Sequence, residues 1–130
     1  MQTILVPFDG SKHALKALHI AGDLAEKYKC EICLISIIAK TPKDLQDARQ
    51  KTQKLIALAK SKLNTRGLEP ASMDIEVGEP AECILLAAKR HKVSTIVMGC
   101  RGETMQGDSQ FGSVSQKVFQ MANCTCISVK

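Results

Sequence analysis

Five residues near the C-terminus have the types and spacing to hold an anion. Gly99, Gly102, Gly112, Ser113 and Ser115 read as G-x2-G-x9-G-S-x-S. The apolar run Thr95, Ile96, Val97 and Met98 comes before them and a helical pattern follows. Glycine lets backbone approach a ligand closely and adopts positive φ without penalty. A helix that opens on Ser presents free N–H groups and the positive end of its dipole. Strand, glycine loop and helix start together describe a phosphate cradle in which Ser113 and Ser115 supply hydroxyl donors. A plain helix cap at Gly112-Ser113 explains Ser113 but not the spacing of all three glycines. Arg101 stands between two of the glycines, where reaching a phosphate and pointing to solvent are equally open. Asp9 is the only carboxylate at the end of the first apolar run, Ile4-Leu5-Val6-Pro7-Phe8. It reads as a second ligand contact or as an Asx turn that starts the next helix.

The elements that must position these residues alternate. Residues 2–8 read as a buried strand, and Ser11 caps a helix to about residue 28. Ala14, Leu18, Ala21, Leu24 and Ala25 form that helix's apolar stripe. Residues 31–38 are nearly continuous in apolar residues, as suits a strand covered on both faces. Pro42 permits a helix from about residue 43 to 66, stopped by Gly67, with Leu55, Ile56, Leu58, Ala59 and Leu63 inward. Residues 71–77 alternate apolar and polar, the pattern of a strand near an edge. Pro80 suits the N1 position of a third helix, with Ile84, Leu85 and Ala88 inward. Residues 94–98, 113–122 and 125–129 complete the chain as strand, helix and strand. Strands separated by helical crossovers give a parallel sheet with right-handed connections. The expected fold is a single α/β domain over residues 1–130, three layers around five parallel strands.

Composition removes several classes of function. With 45% hydrophobic and 24% charged residues, the 130-residue chain is globular rather than disordered. No apolar run approaches the roughly 20 residues that cross a bilayer, so no membrane role is expected. The N-terminus enters a strand without the zones of a signal peptide, which leaves a cytoplasmic location as the expectation. The net charge of +5 comes largely from lysines on helices, the pattern of a solvated face. One Tyr and no Trp leave few stacking platforms for bases, so nucleic acid is not an expected partner. Six cysteines in a chain with its own core read as reduced thiols. Cys30-x2-Cys33 lacks the further ligands of a zinc site and reads as structural. Cys124-x-Cys126 is too incomplete to assign and reads as a pair of small hydrophobes. His13, His19 and His91 have no metal-ligand spacing.

The glycine spacing, together with Val6-Pro7-Phe8-Asp9 at a strand end, resembles the universal stress proteins. Their nucleotide-binding signature is G-x2-G-x9-G-(S/T), matched here without a gap, and the resemblance extends to an apolar last strand, Cys124-Thr125-Cys126-Ile127-Ser128-Val129. The resemblance implies a Rossmann-like fold of the adenine nucleotide alpha hydrolase type, with strand order 3-2-1-4-5. That order puts a switch point between strands one and four, where ligands of such sheets sit, so Asp9 and Gly99 converge. By resemblance Pro7 and Ile37 flank an adenine ring, Asp9 meets ribose hydroxyls, Met98 lines the pocket and the Val114 N–H meets phosphate. Gly99, Gly102, Gly112, Ser113 and Ser115 make up the rest of the cradle. The implied ligand is ATP, or ADP or AMP, with or without magnesium. The implied function is a nucleotide-dependent regulatory module of the stress response, a homodimer joined through the last strand and acting on an unknown protein partner. A slow magnesium-dependent ATPase and a nucleotide-independent dimerisation module are the alternatives. No G-x4-G-K-(S/T) loop is present, and no Asp pair for magnesium lies beside the glycine loop. Hydrolysis is therefore expected to be slow at most, and phosphates are expected to order residues 103–111.

The chain departs from the family at three places. Residues 103–111 are more polar than the family's loop, with a turn expected at Gly107-Asp108. Thr125 replaces a common proline. Cys100 stands where Ser is frequent, and it is expected to be the most solvent-accessible thiol and a point of oxidation sensitivity.

Overall fold

Among the described residues the chain adopts nine elements in strict alternation. The description rests on a computed structural model and covers residues 2–39, 43–100 and 112–130. Strand β1 (Thr3–Pro7) leads to helix α1 (Lys12–Tyr28), then β2 (Glu31–Ile38) and α2 (Leu45–Asn64). The second half runs β3 (Ser72–Val77), α3 (Pro80–Arg90), β4 (Thr95–Gly99), α4 (Ser113–Met121) and β5 (Thr125–Val129). All pairings are parallel, in the order β3-β2-β1-β4-β5. The fold class and strand order are those expected. The turn at Gly107-Asp108 falls outside the described residues.

Local chemistry explains the boundaries. Ser11 accepts the Ala14 N–H at 3.1 Å and caps α1. Asp44 caps α2 by accepting the Asp47 N–H at 3.1 Å, so the cap is the carboxylate after Pro42 and Lys43. Gly67, at φ 76°, turns the chain after α2. Glu79 caps α3 with Pro80 at N1, its carboxylate accepting the Ala81 and Glu82 N–H groups at 3.2 and 2.7 Å.

Two apolar layers sandwich the sheet. On one side Ile4, Val6, Leu34 and Val97 pack against Leu18 and Ala21 of α1 and Ile56 and Ala59 of α2. On the other Leu5, Ile35, Ile96 and Met98 pack against Ile84 and Ala87 of α3 and Val118 of α4. Leu58 departs from the expected stripe of α2. It is 43% exposed, because Ile56, Ala59 and Leu63 already fill the helix's buried face. At one end of the sheet Arg66 clamps α2 to α1. Its guanidinium binds Asp23 and Glu26 and donates to the His19 carbonyl at 3.0 Å.

Candidate functional site

Three chain segments meet at the C-terminal ends of the central strands and enclose a cleft of about 310 Å³. The first leaves β1. Phe8 is tied down on both sides of its peptide unit, its N–H donating to the Ile35 carbonyl at 2.8 Å and its carbonyl accepting the buried Ser36 hydroxyl at 2.7 Å. The chain then turns sharply. The Asp9 carboxylate accepts the Ser11 N–H at 2.9 Å, and Gly10 sits at φ +82°. A Cβ on Gly10 would lie 2.7 Å from Leu55 Cδ2, a side-chain methyl that can shift, so it is the backbone that requires glycine there. Asp9 therefore makes the Asx turn and borders the cleft at once.

The second segment leaves β4. Gly99 does not use positive φ. Its missing side chain makes room for α1 instead, because a Cβ would fall 2.7 Å from His13 Cβ and 2.8 Å from the His13 carbonyl carbon. Cys100 follows and is fully buried. Its N–H donates to the Val129 carbonyl at 2.8 Å, and its carbonyl accepts the Gly112 N–H at 2.6 Å. This corrects the expectation of an accessible thiol: the residue is pinned between the end of β5 and the start of α4, with no face left to solvent.

The third segment is the start of α4. Gly112 takes φ −72° and ψ 155°, an extended conformation, and offers no side-chain cap. The first bond of the helix runs from the Gln116 N–H to the Gly112 carbonyl at 3.0 Å. Helix geometry thus gives the N–H groups of Ser113, Val114 and Ser115 no acceptor within the helix. The dipole's positive end lies at the same point. Ser113 is exposed and Ser115 buried. The Ser115 hydroxyl lies 2.9 Å from the Cys100 carbonyl and 3.1 Å from the Gly112 carbonyl and donates its proton there. Ser115 therefore ties α4 to β4, a different task from the hydroxyl donation to a phosphate expected of it.

Of the expected site residues, Pro7, Asp9, Ile37, Met98, Gly99, Gly112, Ser113, Val114 and Ser115 all border this one cleft. Gly102, the tenth, lies outside the described residues, as do Arg101 and the loop 103–111. Sequence reasoning missed Phe8, the cap Ser11, Ala14 of α1, Pro80 and Ile84 of α3, and Cys100 as lining residues. The proximity of Ser11 to Asp9 was a usable signal. Nothing local marked Pro80 and Ile84, since only the sheet order brings α3 over this strand end.

The lining sorts into two kinds of surface. Pro7, Ile37, Ile84 and Met98 offer apolar walls, and the α4 start offers N–H donors. Asp9 is the only charged side chain among the described lining residues, so attraction for an anion there comes from backbone dipoles. Burial raises the Cys33 and Cys124 thiols and pushes Cys126 up to about 11, so none of these is a thiolate at neutral pH. Cys30 and Cys33 belong to opposite faces of the sheet and form no joint site. Among the described residues no three His, Cys, Asp or Glu side chains gather as metal ligands.

A strand order of 3-2-1-4-5 with a cleft at its switch point is shared by many nucleotide-binding folds, and comparison of the whole chain narrows it. The model of the universal stress protein family matches residues 1–130. The chain belongs to that family. Universal stress protein YxiE of Bacillus subtilis is 30% identical, the match covering 98% of this chain and 97% of the relative. Among solved structures, the universal stress protein of Archaeoglobus fulgidus in complex with dAMP superposes with a TM-score of 0.83 at 22% identity, over 100% of this chain and 98% of the other. A universal stress protein in complex with cAMP superposes with a TM-score of 0.81 at 21% identity, over 99% and 97%. At these identities the solved structures establish a common fold for this universal stress protein. Among its described residues no helix is long and apolar enough to cross a membrane.

Proposed function

We propose that this universal stress protein binds an adenine nucleotide in the cleft between β1 and β4, and that the bound nucleotide governs a regulatory contact with another protein. The observation that carries the reading is the start of α4: a helix N-terminus without a side-chain cap, with no side chain at Gly112, opening into a cleft walled elsewhere by Pro7, Ile37, Ile84 and Met98, with Asp9 the one charged group among the described lining residues. Such an arrangement suits a ligand with an anionic end and a flat apolar end. The residues fit the group. Pro7 and Ile37 would flank the base, Asp9 would face the ribose, and the N–H groups of Ser113 and Val114 would take phosphate oxygens. Gly99 and Met98 would close the floor, Gly102 would complete the cradle, and Ser115 would hold α4 in place. The neighbours solved with dAMP and cAMP support the adenine class. ATP, with or without magnesium, is the ligand proposed for the cell, with slow hydrolysis at most.

Equilibrium binding of AMP and adenosine to nucleotide-free protein tests this reading. AMP is expected to bind more tightly than adenosine, and Ser113→Asp is expected to close the gap. The new carboxylate would stabilise the helix by about 0.3–1 kcal/mol through the dipole while repelling phosphate. Equal affinity for AMP and adenosine in the wild-type protein would remove the phosphate from the proposal. We also propose a homodimer through β5, the outermost strand on its side of the sheet. Sedimentation of the purified protein tests it, a monomer at micromolar concentration being the contrary result.

A further inference from the structure

Two cysteines sit together at β5, remote from the cleft. Cys124 directly precedes β5 and Cys126 lies within it. Both pack against the same apolar cluster, beside Val118 and Phe119 of α4, so both thiols occupy one face of the sheet. The Cys126 thiol donates to the Cys124 carbonyl at 3.6 Å. Both are free cysteines and both are half-buried, within reach of solvent. They lie at the opposite end of the sheet from the nucleotide cleft. Cys126 is in register with Ile96 near the start of β4, whereas Val129 pairs with Gly99 at its end.

We propose that Cys124 and Cys126 clamp one soft monovalent metal ion of the copper(I) class between their sulfurs. Two arguments select that class. Cysteine sulfur favours soft ions once the entering ion has displaced its proton. A tetrahedral zinc site requires four ligands, whereas no third Cys, His, Asp or Glu side chain gathers with these two among the described residues. An ion content with two sulfur ligands matches the donors present. Binding exchanges both S–H bonds for metal–sulfur bonds and releases two protons to solvent, with no change in oxidation state. The spacing distinguishes this pair from Cys30 and Cys33, whose thiols the sheet separates onto opposite faces.

The test is competition for copper(I) held by a coloured chelator, under anaerobic reducing conditions. The reduced wild-type protein is expected to withdraw one equivalent. Cys124→Ser and Cys126→Ser, each made alone and checked for an unchanged circular dichroism spectrum, are expected to lose that equivalent. A Cys30→Ser/Cys83→Ser protein is expected to keep it. Failure of the wild type to compete overturns the proposal, as does an equivalent retained by folded Cys124→Ser or lost by the Cys30→Ser/Cys83→Ser control.

Discussion

At the scale of the residue, two glycines of the motif, Gly99 and Gly112, have different physical reasons for being glycine. Gly99 is required by the close approach of α1, since its Cβ would meet both the His13 side chain and the backbone of the helix's first turn. Gly99→Ala is therefore expected to destabilise the fold by about 1–3 kcal/mol, the usual cost of overpacking. Urea unfolding of the variant checks this, and an unchanged midpoint would show that α1 moves aside without cost. Gly112 carries an extended backbone that any residue adopts, so its backbone does not require glycine, and it borders the cleft at the start of α4. Ser115 is the second distinction. Its hydroxyl serves Cys100, whose carbonyl keeps the Gly112 N–H when the hydroxyl is removed. Ser115→Ala leaves no orphaned acceptor, and the expected loss is about 0.5–1.5 kcal/mol, again read by urea unfolding. The sequence marked these positions by their types, but it gave Cys100 the wrong surroundings and did not foresee the packing of Gly99 on α1 or the bond from Ser115 to the Cys100 carbonyl. What each one touches is set by chain segments more than ten residues away, which no local pattern records.

At the scale of the element, punctuation carried most of the information. Ser11, Gly67 and Pro80 announced helix limits that the backbone respects, because caps and φ restrictions act within a few residues. The face of α2 was legible only in part. Leu58 lies among the helix's apolar residues yet is exposed, since a stripe needs only some of them once Ile56, Ala59 and Leu63 fill the layer. Glu79 shows an element whose stability depends on charge. Its carboxylate is held below the ordinary Glu value by the backbone N–H of Glu82 foremost, with the Ala81 N–H and Lys117 at 3.6 Å adding to this against the opposing cost of burial. A depressed carboxylate stabilises the folded state above the unfolded value of 4.5 and loses that contribution as pH falls through the lower folded value. Thermal unfolding between pH 7 and 3 is expected to fall on the acid side less steeply for Glu79→Gln than for wild type. Identical acid limbs would mean that the cap is indifferent to its charge.

At the scale of the whole molecule, strand alternation was readable from periodicity, whereas the order 3-2-1-4-5 came only through the family resemblance. Periodicity fixes what each segment is and leaves open which segments become neighbours. Here the order is what makes a site, because it places the exits of β1 and β4 side by side and lays the start of α4 across them. The nucleotide proposal is thus a claim about assembly, in which nine separately expected residues border one cleft and α3, invisible to the motif, closes the side. The measurement that tests it most directly is a thermal-unfolding titration of nucleotide-stripped protein with ATP, ADP and AMP beside Gly112→Val. The Gly112 backbone accommodates valine, so the variant is expected to fold and to fill the space before the α4 N–H groups. A ligand at a hundred times its dissociation constant adds about 2.7 kcal/mol to stability. The account predicts a saturable rise in melting temperature for the wild type that is absent in Gly112→Val. No rise in the wild type, or an equal rise in both proteins, would contradict it.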